Sequence, residues 1–153
     1  MSEISFSINK ADKEDIEKHL FECSNSFIPP LESYVNISAY SEKIKKFAIT
    51  FEAWSDSRLI SLIACYLNDD INKRGFITNV STIPTFQSKG IVSHLFQNLI
   101  DYAIEKEYES FSLQVNKMNG KAISFYLKKG FLIDSDNYTH GILYMNLMLD
   151  YLR

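Results

Sequence analysis

The chain has only two cysteines, no long apolar run and no excess of basic residues. Cys23 and Cys65 lie far apart, without the close spacing of metal ligands, and read as small buried apolar residues rather than as a disulfide pair. No stretch of about 18 apolar residues exists, so no membrane-spanning helix is expected. The start, Met1-Ser2-Glu3-Ile4-Ser5-Phe6, lacks a basic region followed by an apolar one. No signal peptide is expected, and a cytoplasmic location follows as the expectation. Three Asn-x-Ser/Thr tripeptides, at Asn36, Asn79 and Asn137, mean nothing without secretion. The formal net charge of −3 argues against nucleic acid or an anionic membrane as partner. It leaves room for an anionic cofactor, because local backbone dipoles and a few lysines decide that. No repeat, low-complexity segment or linker is present.

What is there is the composition of a soluble globular domain. Hydrophobic residues make up 46% and charged residues 23% of 153 residues, enough for one domain over residues 1–153 with a real core. Ile4, Phe6 and Ile8 alternate with polar residues, as in a strand. Asp12 and Asp15 mark a helix start, with Ile16, Leu20 and Cys23 on one face. Phe27-Ile28-Pro29-Pro30-Leu31 ends it. A second helix is expected over Ile37–Phe47. A hairpin follows, from Phe47 to Trp54 and back over Arg58 to Leu67 around Ser55-Asp56-Ser57.

The most informative stretch runs from Gly75 to Ala103. A β-branched strand, Gly75 to Ile83, stops at Pro84. A short polar loop with one glycine follows, Thr85-Phe86-Gln87-Ser88-Lys89-Gly90. Val92, Leu95, Phe96, Leu99, Ile100 and Ala103 then fall at i, i+3, i+4, i+7, i+8 and i+11, a single apolar helical stripe. The first turn of such a helix carries free N–H groups and the positive end of the helix dipole, a natural seat for phosphate oxygens. Beyond it come a strand at Phe111–Val115, a short helix at Asn119–Lys129 ended by Gly130, and strands at Phe131–Ser135 and Gly141–Leu149. The order βααβββαβαββ is mixed α/β (α+β), with a largely antiparallel central sheet flanked by helices.

Two blocks carry a resemblance. Gln87-Ser88-Lys89-Gly90-Ile91-Val92 is similar to the acetyl-CoA loop Gln/Arg-x-x-Gly-x-Gly/Ala of the GCN5-related N-acetyltransferase (GNAT) superfamily. Asn119, Ala122, Tyr126, Gly130 and Phe131 follow that family's later block. The resemblance covers about Phe76 to Phe131 and implies the same element order. It implies an acyltransferase that uses acetyl-CoA as co-substrate, with no metal. In that reading, backbone N–H groups of Gln87, Ser88, Lys89, Gly90, Ile91, Val92 and Ser93 wrap the pyrophosphate. Backbone groups of Val80 and Thr82 pair with the pantetheine arm, Asn119 hydrogen-bonds that arm, and Tyr126 acts as the acid toward the departing sulfur. Val92 departs from the family's small residue but retains its N–H.

No general base stands out. Gln114 occupies a position where some relatives carry Glu, and glutamine cannot take a proton. Thr78 and Asn79 lie where others place an acid. Asp69, Asp70, Glu32, His94 and His140 remain, each better read as solvated. Phe27, Tyr34, Tyr40 and Tyr66 are candidates for an acceptor pocket. The resemblance implies transfer to an amine of a small molecule or peptide, or, with the base missing, an acyl-CoA-binding module of the same fold without turnover. The last strands leave room for a homodimer without establishing one.

Overall fold

The computed structural model describes residues 3–135 and 139–152. Met1, Ser2 and the Asn137-Tyr138 part of the third Asn-x-Thr tripeptide lie outside the described residues. The elements are β1 (Ser5–Ile8), α1 (Lys13–Cys23), α2 (Ile37–Phe47), β2 (Ile49–Ser55), β3 (Arg58–Tyr66), β4 (Arg74–Thr82), α3 (Ile91–Glu105), β5 (Ser110–Asn116), α4 (Gly120–Lys128), β6 (Leu132–Ile133) and β7 (Ile142–Met148). This is the order expected from the sequence. Strand β6 is shorter than the expected Phe131–Ser135, because the fully buried Phe131 belongs to the core rather than the sheet edge.

Among the described residues seven strands lie in the order β1-β2-β3-β4-β5-β7-β6, and only β4 and β5 run parallel. Strand β3 is buried from Leu59 to Cys65, as a central strand covered on both faces must be. One face carries α3 and α4 on a core of Phe51, Ile63, Ile77, Leu95, Phe96, Leu99 and Phe131. The other carries α1 and α2 on Leu59, Leu62 and Ala64. Asp12 caps α1 by accepting from Asp15 N–H, and Asp15 returns the bond to Asp12 N–H, a capping box.

Local pairing on β4 opens the sheet. Cys65 pairs with Ile77 but Ala64 pairs with Asn79, so Thr78 is an extra residue, a β-bulge. Before the bulge, β4 is paired with β5 over Arg74–Phe76 against Ser110–Ser112. Beyond it, β4 stays on β3 and its pairing with β5 ceases. A strand edge is thereby left open inside the sheet. Glu52 secures the opposite end. It is wholly buried, and its carboxylate accepts from Ser7 Oγ (2.8 Å), Ala11 N (2.9 Å), Thr50 Oγ1 (2.6 Å) and Trp54 Nε1 (3.1 Å).

Candidate active site

A groove of about 740 Å³ opens where β4 and β5 part. Val80, Thr82, Gln87, Ser88, Lys89, Gly90, Ile91, Val92, Ser93, Asn119 and Tyr126, the whole set expected from the sequence, line this one groove. How each faces it follows from backbone geometry.

Ile83 N–H bonds Ile60 O at 2.9 Å, which makes that pair hydrogen-bonded in the β3–β4 ladder. By the two-residue alternation of an antiparallel ladder, Ser81 and Asn79 also direct their backbone groups to β3. Val80 and Thr82 direct theirs the other way, into the gap left by β5. Gln87 Nε2 bonds Thr82 O at 3.1 Å and reaches Ser26 Oγ at 3.3 Å. The Gln87 side chain therefore ties the loop to the end of β4, and the Thr82 carbonyl is already engaged. The Val80 groups and the Thr82 N–H remain for an extended ligand.

The loop is bent by two residues in the left-handed region, Ser88 (φ 62°) and Gly90 (φ 79°). Gly90 is the N-cap of α3, and no side chain caps that end. The first helical bond is His94 N–H to Gly90 O, so the N–H groups of Ile91, Val92 and Ser93 precede the intrahelical ladder. Val92 packs against the α3-side core, while Lys89 and Lys121 add positive charge to the groove lining.

Asn119 caps α4 by accepting from Ala122 N–H at 3.2 Å through Oδ1, which leaves its Nδ2 for another partner. Tyr126 is the one buried residue of α4. Its ring meets Phe125 and Phe131 edge-on at 5.6 Å, and no hydrogen bond to its hydroxyl occurs among the described residues. Burial alone pushes its phenol well above the ordinary tyrosine value.

Of the aromatic candidates, Phe27 and Tyr34 line the groove. Tyr40 and Tyr66 do not. The Tyr40 hydroxyl lies 2.8 Å from Thr78 O and 2.7 Å from Thr78 Oγ1, and Tyr66 stacks on Phe76. None of Asp69, Asp70, Glu32, His94 and His140 lines the groove. His94 instead stacks on Phe6, with ring centroids 3.7 Å apart. Gln114, Thr78 and Asn79 do line it.

Sequence reading missed His19. It sits at i+3 from Ile16 on the buried face of α1, and only that spacing could have signalled it. Its Nδ1 is 2.9 Å from Leu59 O and its Nε2 2.9 Å from Ser81 Oγ, which is 2.7 Å from Asn79 Oδ1. Ser81 and Asn79 reach the groove.

A family model described as the acetyltransferase (GNAT) family matches residues 14–131. No match was found among curated proteins. The fold is similar to that of PaiA N-acetyltransferase from Thermoplasma acidophilum in complex with coenzyme A (TM-score 0.71, 18% identity, 94% of this chain and 99% of that one). It is similar to the ribosomal-protein-S18-alanine N-acetyltransferase of Escherichia coli (TM-score 0.72, 19% identity, 97% and 94%). It is also similar to Ard1 from Thermoplasma volcanium (TM-score 0.73, 19% identity, 94% and 97%). With the family model spanning both the Gln87–Val92 block and the Asn119–Phe131 block, the chain belongs to the GNAT acetyltransferase family.

Proposed function

We propose that this protein is an acetyl-CoA-dependent N-acetyltransferase that acts on a primary amine of a small molecule or peptide by direct attack in a ternary complex. The observation that carries the reading is the pairing of two open sets of backbone donors in one groove. One set is the uncapped start of α3, and the other is the open β4 edge at Val80 and Thr82. The coenzyme A complex of the Thermoplasma acidophilum neighbour supports the same ligand class here.

The residues present fit such a ligand. The amides of Ile91, Val92 and Ser93 suit pyrophosphate oxygens, and Lys89 and Lys121 add charge. Val80 and Thr82 suit the amides of an extended arm, as an added strand would. Asn119 Nδ2 suits a carbonyl of that arm. Acetyl-CoA supplies an acetyl thioester: the C–N bond forms as the C–S bond breaks, the nitrogen gives a proton to water and the sulfur leaves to become a thiol.

Tyr126 remains protonated throughout the neutral range, because burial holds its phenol high. A thiol ionises near 8.5 and an ordinary tyrosine near 10, so proton transfer from phenol to thiolate is uphill by about 2 kcal/mol even before burial. Burial increases that gap. The role left to Tyr126 is a hydrogen bond that stabilises developing charge on sulfur, not surrender of its proton.

One observation favours a second reading, a non-catalytic acyl-CoA-binding module: no Asp, Glu or His is among the described groove-lining residues. Calorimetric titration with acetyl-CoA and thiol release across a panel of amines separate the two. Thiol release rejects the module. No heat at millimolar acetyl-CoA rejects both.

A further inference from the structure

Resting on the reading above, we propose that the acceptor is a peptide N-terminus, held as an added strand on the open edge of β5. The groove then has two edges with two occupants: the cofactor arm on β4 and the acceptor chain on β5.

The free groups of β5 follow from the ladder on its other side. Pairing with β4 ends at Phe76 and Ser112, yet β5 continues to Asn116 with β7 as its partner. Lys117 N–H bonds Gly141 O and Leu149 N–H bonds Glu109 O, both at 2.9 Å. Both bonds keep the β5–β7 register, so by two-residue alternation Phe111, Leu113 and Val115 turn their backbone groups to β7. Ser112, Gln114 and Asn116 turn theirs the other way. Ser112 meets β4 there, whereas Gln114 and Asn116 meet the groove that both of them line. Asn119 N–H donates to Asn116 O at 2.9 Å. The Gln114 N–H, the Gln114 carbonyl and the Asn116 N–H have no partner among the described residues.

A donor and an acceptor side by side on one strand suit a ligand that offers a carbonyl and an N–H at the same spacing. An extended peptide does so, as in strand addition to a sheet edge. The side chains agree. Asn116 Oδ1 accepts from Met118 N–H at 2.9 Å, which leaves its Nδ2, and Gln114 brings a second uncharged carboxamide. A polyamine offers N–H groups without a carbonyl, and its further cations find no carboxylate in the described lining.

The closed end of the gap selects a chain terminus. The strands rejoin at Phe76 and Ser112, one alternation from Gln114. A chain laid along Gln114 toward that end cannot run on between them. In the reading above the cofactor points to the same end. Its phosphates lie at Ile91–Ser93, beyond Thr82, and its arm passes Thr82 and then Val80, so the acyl group arrives beside the bulge at Thr78. A terminal amine fits this blind end. A lysine in mid-chain has backbone running on in both directions, and one of them meets the closure.

The test measures thiol release by the full chain with acetyl-CoA and five acceptors. These are tetra-alanine amide, the same peptide N-methylated at its second or at its third residue, alaninamide and spermidine. Alaninamide carries the same kind of amine without the strand, and tetra-alanine amide should exceed it in kcat/KM by about 10-fold or more. Backbone groups of a strand alternate, so methylation at one of the two positions should cost at least about 5-fold and at the other less than about twofold. In the coenzyme A complex, the backbone ¹⁵N–¹H signals of Gln114 and Asn116 should shift on addition of tetra-alanine amide, and their hydrogen exchange should slow. Parity of alaninamide with the tetrapeptide, equal effects of the two methylations, a spermidine preference, unchanged Gln114 and Asn116 signals, or silence of all five acceptors with acetyl-CoA bound each overturns the inference and leaves the cofactor reading standing. Failure of acetyl-CoA to bind overturns both.

Discussion

Replacing Tyr126 by phenylalanine removes one oxygen and leaves the ring where it packs. The ring contacts with Phe125 and Phe131 need no hydroxyl, and that hydroxyl has no hydrogen bond among the described residues. The hydroxyl reaches the groove and has no protein partner to lose, so its removal should leave stability unchanged. Catalysis should behave differently. A hydrogen bond to a charged group contributes about 1.5–3 kcal/mol, which is about 10–150-fold in kcat. Acetyl-CoA affinity should stay within about twofold, because the ground-state thioester sulfur is a poor acceptor. The measurements are thiol release with a colorimetric thiol reagent, calorimetric affinity and a melting curve on the same preparation. Turnover within twofold of the parent would remove Tyr126 from the mechanism. A loss of turnover that came with a melting point lowered by several degrees would assign the residue to packing instead.

Other consequences follow from the same geometry. His19 has its imidazole lowered from 6.5 to about 4, so its stabilisation is present above pH 6.5 and is lost as pH falls through 4. Denaturant titrations at pH 7 and pH 4 should differ by about 3 kcal/mol more in the parent than in His19→Gln; equal differences would refute this. Acetyl-CoA at about 100 times its dissociation constant should add about 2.7 kcal/mol, or about 5–11 °C in melting temperature. Gly90→Ala should shrink that shift. A Cβ there meets no atom within 4 Å, so its cost is that of a left-handed φ of 79°, about 1–2 kcal/mol, and full retention of the shift would argue against the loop. Glu52→Gln turns an amide donor toward a site where five donors converge, and should cost at least about 2 kcal/mol by chemical denaturation. Gly75→Ala places a Cβ 2.8 Å from Leu67 Cδ2 and 2.9 Å from Phe111 Cδ1, and should cost about 1–3 kcal/mol by chemical denaturation.

Legibility in the sequence tracked how local each feature is. Helix α3 was readable because its stripe repeats over fifteen residues, and α2 occupies the Ile37–Phe47 span expected for it. The turn at Gly90 and the Asn119 cap had local signals, because a left-handed glycine and a cap three residues away act within their own stretch of chain. The His19–Ser81 pair joins residues 62 positions apart and had no local signal. The same holds for Glu52, a carboxylate in an apolar strand whose donors come from β1, its following loop and two neighbours on β2. Tyr40 and Tyr66, candidates for an acceptor pocket, lie outside the groove lining for a related reason. An aromatic beside a groove and an aromatic one layer behind it have the same sequence neighbours, and only the depth of α2 against β4 separates them.

The extra residue at Thr78 shapes both the open β4 edge and the polar side chains beside it in the groove. Side chains alternate along a strand with a period of two, so one inserted residue exchanges the faces of everything beyond it. Ile77 faces the α3-side core, and without the bulge Asn79 would share that face and Val80 would point at His19. With the bulge, Val80 packs toward α3 while Asn79 and Ser81 turn toward α1, within hydrogen-bonding distance of its histidine. The same bulge falls two residues after the last β4–β5 pair, where the strands part. One local irregularity therefore opens the edge that can receive an extended ligand and rotates polar side chains onto the wall beside it. A regular β4 would close the gap, bury Asn79 among apolar residues and break the chain to Leu59 in a single change.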